Sequence, residues 1–292
     1  MNVPVSRLEE GKRFLLEAAR RDSPAEWAGV SRAAKEAGHK KTTIYDAVDE
    51  LQDKGRIVWD GGYLWIPEAG AEDGWLAIVR VLDRWPIMSS EGLEREDRIA
   101  CASSLARLVT NAPRIPCSRG LLRRFRRDLP QLPRPVFVAM IPFIQHLYRS
   151  AIDQAQNPPK LDAQGRWTEE TLTELEEAIL AALRKVIRAP PTGLDEVTLC
   201  GNLLFELVSR NRLGQDDVRR VAYWTLDVLV SSRSLEDYLE RWEAVRALLR
   251  ECGRGPEVRR AIQIRLLHGF GRANLERPWL SDLTRRFFGL AL

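Results

Sequence analysis

The chain has 292 residues, 45% hydrophobic and 29% charged, ordinary globular values that exclude wholesale disorder and fibrous repeats and leave room for two domains. Its longest apolar run, 136–144, is too short to span a membrane, and the opening MNVPVSRLEEGKRF lacks the apolar core and cleavage site of a secretory signal. Net charge is +4, the four cysteines form no C-x-x-C pair and only three histidines occur, which argues for reduced thiols in a cytoplasm and against zinc knuckles, disulfide frameworks or histidine chemistry.

Leu8, Leu15, Ala18 and Ala19 recur at helical spacing and predict a first helix over Arg7–Arg21, ended by Asp22, Ser23 and Pro24. A second helix is predicted over 24–37, stopped by Gly38. A third starts near Lys41, with Thr42 or the residues just before it as cap, and stops at Gly55. Ile44, Ala47, Val48 and Leu51 form its i, i+3, i+4, i+7 apolar stripe. Two β-rich runs follow, 56–59 and 63–66, joined by Asp60, Gly61 and Gly62. Asp-Gly and Gly-Gly supply the positive φ angles of a tight hairpin turn.

The order is three helices followed directly by a hairpin, and its most telling stretch is VSRAAKEAGHKKTTIYDAVDELQDKGRIVWDGGYLWI, residues 30–66. In layout this stretch resembles the winged helix-turn-helix superfamily, with TTIYDAVDELQDKG in the place of the recognition helix. The resemblance implies that the start of the third helix enters the major groove while the hairpin, the wing, touches the flanking backbone or minor groove. Lys40 and Lys41 would then pair with phosphates, and Thr42, Thr43 and Tyr45 would reach phosphates or base edges, with His39 beside them. Two features depart from that pattern. Asp46 is acidic where many DNA readers carry Arg or another donor, with Asp49 near it on the exposed side, and the wing tip has no cation. Residues 1–70 hold 11 basic and 12 acidic side chains. Winged helices also dock proteins, and that alternative stays open.

Beyond Pro67, EAGAEDG (68–74) reads as a linker into an all-helical domain, 75–292. Helices are predicted over 75–85, 93–111, 118–129, 136–155, 169–188, 196–212, 215–231, 235–252 and 256–270, separated by Pro, Gly or Asn, Pro86 among them. No other segment alternates as a strand. Asp217-Val218-Arg219-Arg220-Val221 recurs forty residues later as Glu257-Val258-Arg259-Arg260-Ala261, each at the second helix of a pair. Residues 196–272 therefore resemble, weakly, HEAT or armadillo repeats, with pairs over 196–231 and 235–272 and a solenoid-like stack implied. Shared amphipathic periodicity alone is the competing explanation.

The strongest charge feature lies between the two. Residues 112–150 carry eight arginines against the single Asp128. On a helix starting at Ser118, Leu121, Leu122, Phe125 and Leu129 share one face, while Arg119, Arg123, Arg126 and Arg127 share the opposite one, with Arg124 at its edge. Guanidinium forks suit phosphate oxygens, and a row of them can track a nucleic-acid backbone. The bland alternatives are a solvated face, a dock for an acidic protein, or compositional bias, arginines outnumbering lysines 38 to 7.

No phosphate-loop, H-E-x-x-H or G-x-S-x-G motif occurs, and acidic pairs such as Asp216-Asp217 sit where helix dipoles explain them. Trp75, Trp85, Trp224 and Trp242 fall on apolar stripes. Trp59 and Trp65 are candidates to plug the wing onto the helical domain, and the RRFFGLAL tail to pack in its own domain or a partner. The expectation is a mainly α, cytoplasmic, prokaryotic-type protein without catalytic residues, cofactor or metal. DNA or RNA is the expected partner, protein partners or a homo-oligomer being plausible and a membrane not. A DNA-binding transcription regulator is the simplest role. The alternative is a non-catalytic nucleic-acid-binding or scaffold subunit of an assembly, of the mobile-element replication or CRISPR/antiviral defence kind, with the winged helix docking protein.

Overall fold

The computed structural model describes residues 6–67, 70–157 and 165–270, with side chains placed as far as Leu266. The 285–292 tail and most of the predicted break at 157–159 lie outside the described residues. The chain is mainly helical with one small antiparallel sheet, and it divides into two compact units, Met1–Ile179 and Leu180–Leu292.

The first unit opens with α1 (Arg7–Arg21), β1 (Ala25–Glu26), α2 (Trp27–Glu36), α3 (Lys41–Asp53), β2 (Val58–Asp60) and β3 (Tyr63–Trp65). Ser6 caps α1 by accepting from the Glu9 N–H, with Glu9 and Glu10 in the first turn and Arg20 and Arg21 in the last, as the helix dipole favours. The predicted second helix is shorter than its sequence pattern. Ala25 and Glu26 pair with Leu64 and Tyr63 as a two-residue strand, so α2 starts only at Trp27. The sheet order is β1-β3-β2. The hairpin closes through Gly61 and Gly62 at φ +56° and +78°, with Asp60 opposite Tyr63, the both-positive turn that matches strand twist.

Leu15, Ala19, Val30, Ile44, Ala47, Val48, Leu51 and Leu64 form one buried core. α1 packs on α3 at Gly11, where a Cβ would stand in ordinary contact, 3.5 Å, with that of Ala47. Lys12 bridges the same two helices, its Nζ donating to Glu9 on α1 and lying 2.6 Å from Glu50 on α3. Those carboxylates hold the Lys12 ammonium above its ordinary range, and Lys12 with Lys54 pulls Glu50 below its own.

The remainder of this unit comprises α4 (Glu72–Ser89), α5 (Arg95–Val109), α6 (Arg119–Asp128), a 3-10 turn (Leu129–Gln131), α7 (Arg134–Gln156) and most of α8 (Glu169–Val186). Pro86 does not end a helix but lies inside α4, which runs on to Ser89. Proline has no N–H for the Leu82 carbonyl, and Arg124 Nη1 stands 3.5 Å from that oxygen. The expected linker also shrinks, because Glu72, Asp73 and Gly74 are the first turn of α4. Gly74 is buried there, and a Cβ would collide with the Arg114 carbonyl. Trp75, Trp85, Phe125, Phe143 and Trp167 fill the core of these helices. Trp85 Nε1 donates to Asp128 at 2.9 Å and Trp167 Nε1 to the Ile115 carbonyl at 2.9 Å.

Beyond α8 the second unit holds α9 (Leu194–Ser209), α10 (Gln215–Val230), α11 (Leu235–Cys252) and α12 (Pro256–Phe270). α9 packs on α11, and α10 on both α11 and α12. The two copies of the five-residue repeat occupy the first turns of α10 and α12. Arg265 ties that pair together, 2.6 Å from Asp227 and over the Tyr223 ring. Arg184 at the end of α8 makes a two-pronged pair with Asp217, which holds that carboxyl below its ordinary range. Trp224 and Trp242 are buried, as their stripes predict.

Candidate nucleic-acid interface

α6 is built for one buried and one exposed face. Ser118 caps it, accepting from the Leu121 N–H, and Leu121, Leu122, Phe125 and the following Leu129 are buried. Arg119, Arg123, Arg126 and Arg127 are exposed, and Arg124 is half-buried toward α4. Three of the exposed guanidiniums have carboxylate neighbours. Arg123 lies 2.6 Å from Asp22 at the end of α1, Arg126 3.8 Å from Glu174 on α8, and Arg127 2.5 Å from Asp128. Sequence reasoning missed Asp22 and Glu174, since nothing local ties them to α6. The Arg127 hydrogen bond, with that from Trp85, keeps the Asp128 carboxyl below its ordinary range despite partial burial.

Arg123, Arg124 and Arg127 line a cleft with Arg21, Asp22 and Glu26. Phe14 of α1 and Gly29 and Val30 of α2 also line it. The predicted residues of the third helix stand elsewhere. Lys40 precedes α3 without capping it through its side chain, and Lys41 and Thr42 are exposed, Thr43 half-buried. Lys41 and Tyr45 line a separate groove with Lys35 and His39. α2 contributes Val30 and Ala33 to the arginine cleft and Ser31 and Ala34 to this groove, so the two sets flank α2 rather than converge.

Tyr45 is held rather than projecting freely. Its ring meets those of Trp27 and Trp59 edge-on at 5.6 and 5.9 Å, and Lys41 Nζ lies 5.6 Å from its centroid. Trp59 therefore packs on α2 and α3, within the first 67 residues, instead of plugging the hairpin onto the later helices. The hairpin still reaches those helices through its other face. Leu64 faces the small core, so Tyr63 and Trp65 point the opposite way, and both are buried. A Cβ on Gly61 would lie 3.2 Å from Val79 and 3.4 Å from Asp83, which seats one side of the turn on α4. Partial burial, with Asp60 beside it, raises the Asp83 carboxyl, and burial raises the Tyr63 hydroxyl.

Among the described residues no group of three or more His, Cys, Asp or Glu is placed to hold a metal, and no helix is long and apolar enough to cross a membrane. Burial pushes the Cys117 and Cys252 thiols up to about 12, away from the thiolate form that reacts. No protein-family model, curated protein or solved structure matches the chain.

Proposed function

We propose that this chain is a nucleic-acid-binding protein, a DNA-binding transcription regulator in its simplest form, in which residues 6–67 act as a winged helix and α6 supplies a phosphate-contacting row. The observation that carries the reading is the exposed set Arg119, Arg123, Arg126 and Arg127, opposite a fully buried apolar face. Guanidiniums in that arrangement neutralise backbone phosphates and release counterions, which gives affinity without base readout. The order α1, β1, α2, α3, β2, β3 with sheet order β1-β3-β2 supports the winged-helix assignment. Stacking of α9 on α11 and of α10 on α12 supports a short HEAT-like array in the second unit. No catalytic step is assigned to any residue.

A second reading is favoured by the seat of the hairpin turn on Val79 and Asp83. A wing resting on α4 has less surface to offer a DNA backbone, and Asp46 and Asp49 are exposed on α3. On that reading α3 docks protein, and the chain is a non-catalytic nucleic-acid-binding or scaffold subunit of a larger assembly. Replacing Lys40 and Lys41 together with Gln separates the two. A regulator reading DNA through α3 loses affinity, and its salt slope falls by about 2 when both neutralise phosphates. A docking module leaves binding and slope unchanged.

A further inference from the structure

A second depression in the first unit, of about 420 Å³, is walled by three segments far apart in sequence: the end of α1, the start of α6 and the approach to α8. Arg20, Arg21, Arg119 and Arg166 line it against one carboxylate, Glu170. Among the described residues Arg20, Arg119 and Arg166 have no carboxylate partner, and Arg21 meets only the neighbouring Asp22, 3.2 Å away. That sets the place apart from the rest of α6, where Arg123, Arg126 and Arg127 each have an acid nearby.

Ser23 also lines this wall. Its side chain is more than nine-tenths buried, and its hydroxyl oxygen has no hydrogen-bond partner. Nearly all buried hydroxyls in folded proteins are satisfied, so this orphan, on a wall shared with four arginines, leaves a donor available to an acceptor from outside the chain. α6 also begins at this wall, adding the positive end of its dipole.

We propose that this depression binds a phosphate monoester, with the arginines forking onto its free oxygens and the Ser23 O–H donating to one of them. A compact oxyanion with several free oxygens suits four arginines around one depression better than a backbone diester does, for which the open row on α6 is suited. The volume falls within the range of about 300–1,000 Å³ usual for small-ligand sites. Either a phosphorylated small molecule or the phosphorylated end of a strand supplies that group, and the site stands independently of the backbone-tracking role proposed for α6.

The test uses the full chain and inorganic phosphate as probe, with calorimetry and thermal shift at ionic strength matched by chloride. Saturable binding is expected. It should weaken at least tenfold in Arg166→Gln and in Arg119→Gln, weaken in Ser23→Ala, and persist in Arg246→Gln on the second unit. A 5′-phosphorylated oligonucleotide binding at least tenfold tighter than its 5′-hydroxyl twin assigns the strand end. Equal binding of the twins, with a free mononucleotide displacing phosphate, assigns a small molecule. Absence of saturable phosphate binding by the wild-type chain, which needs no variant to fold, overturns the proposal, and so does binding unchanged by the two arginine substitutions. Phosphate binding without oligonucleotide affinity would leave this site standing and remove the nucleic-acid reading. Oligonucleotide binding without phosphate binding would do the reverse.

Discussion

Arg123 on α6 and Asp22 at the end of α1 lie 2.6 Å apart although 101 residues separate them in sequence. The pair ties the arginine helix to the small module at the N-terminus and also masks one of the guanidiniums proposed to meet phosphate. Both side chains are partly solvated, Arg123 at 66% exposure and Asp22 at 33%, so the pair itself is worth at most about 1 kcal/mol of stability.

It follows that Asp22→Asn should strengthen nucleic-acid binding while leaving the fold nearly as stable. Removing a carboxylate that competes with phosphate should raise affinity severalfold at low salt, and the gain should fade as salt screens it. Titration of wild type and variant against one duplex, over a range of salt, checks this. A loss of affinity would show that Asp22 positions Arg123 rather than masking it.

Leu51→Ala should cost about 2–5 kcal/mol, because Leu51 is 3% exposed in the core shared by α1, α3 and the hairpin. Urea unfolding of the full chain measures it. A change near zero would place Leu51 outside that core.

Much of this architecture is legible in the sequence because it is local. The stripe Ile44, Ala47, Val48 and Leu51, the Ser118 cap and the two turn glycines each carry their reason within a few residues, and the structure keeps all of them. What escaped is nonlocal. Ala25 and Glu26 are too few to alternate and become a strand only because β3 offers its edge. Pro86 stays inside α4 where tertiary packing outweighs its helix-breaking tendency, with Arg124 from another helix near the freed carbonyl. The candidate site divides in the same way. The opposition of arginines and leucines on α6 follows from helical period, whereas the meeting of Arg20, Arg119 and Arg166 around Ser23 depends on three chain segments coming together.

Acidification should weaken the second unit partly through Asp217. The hydrogen bonds from Arg184, helped by Arg220, depress its folded pKa below the ordinary carboxylate value. A depressed carboxyl contributes stability that is present above its unfolded pKa and lost as pH falls through the folded one. Asp217→Asn should therefore destabilise the chain at about pH 7, and the gap from wild type should narrow on descent from about pH 4 toward pH 2. Thermal unfolding across that range reads the gap directly. A gap independent of pH would mean that the Arg184 pair contributes shape and not charge.

The central claim is that α6 holds nucleic acid by its phosphates, and the salt dependence of binding by an Arg123→Gln, Arg126→Gln, Arg127→Gln triple variant tests it most directly. Glutamine is shorter than arginine but keeps a polar side chain and the helix propensity while removing charge, and the three arginines are each at least 60% exposed, so the fold should survive. Affinity for unrelated duplex and single-stranded oligonucleotides should fall alike, with the slope of log K against log salt shallower by roughly 2–3 units. A folded triple variant with wild-type affinity and slope would contradict the account and leave the arginines of α6 as a solvated or protein-docking face.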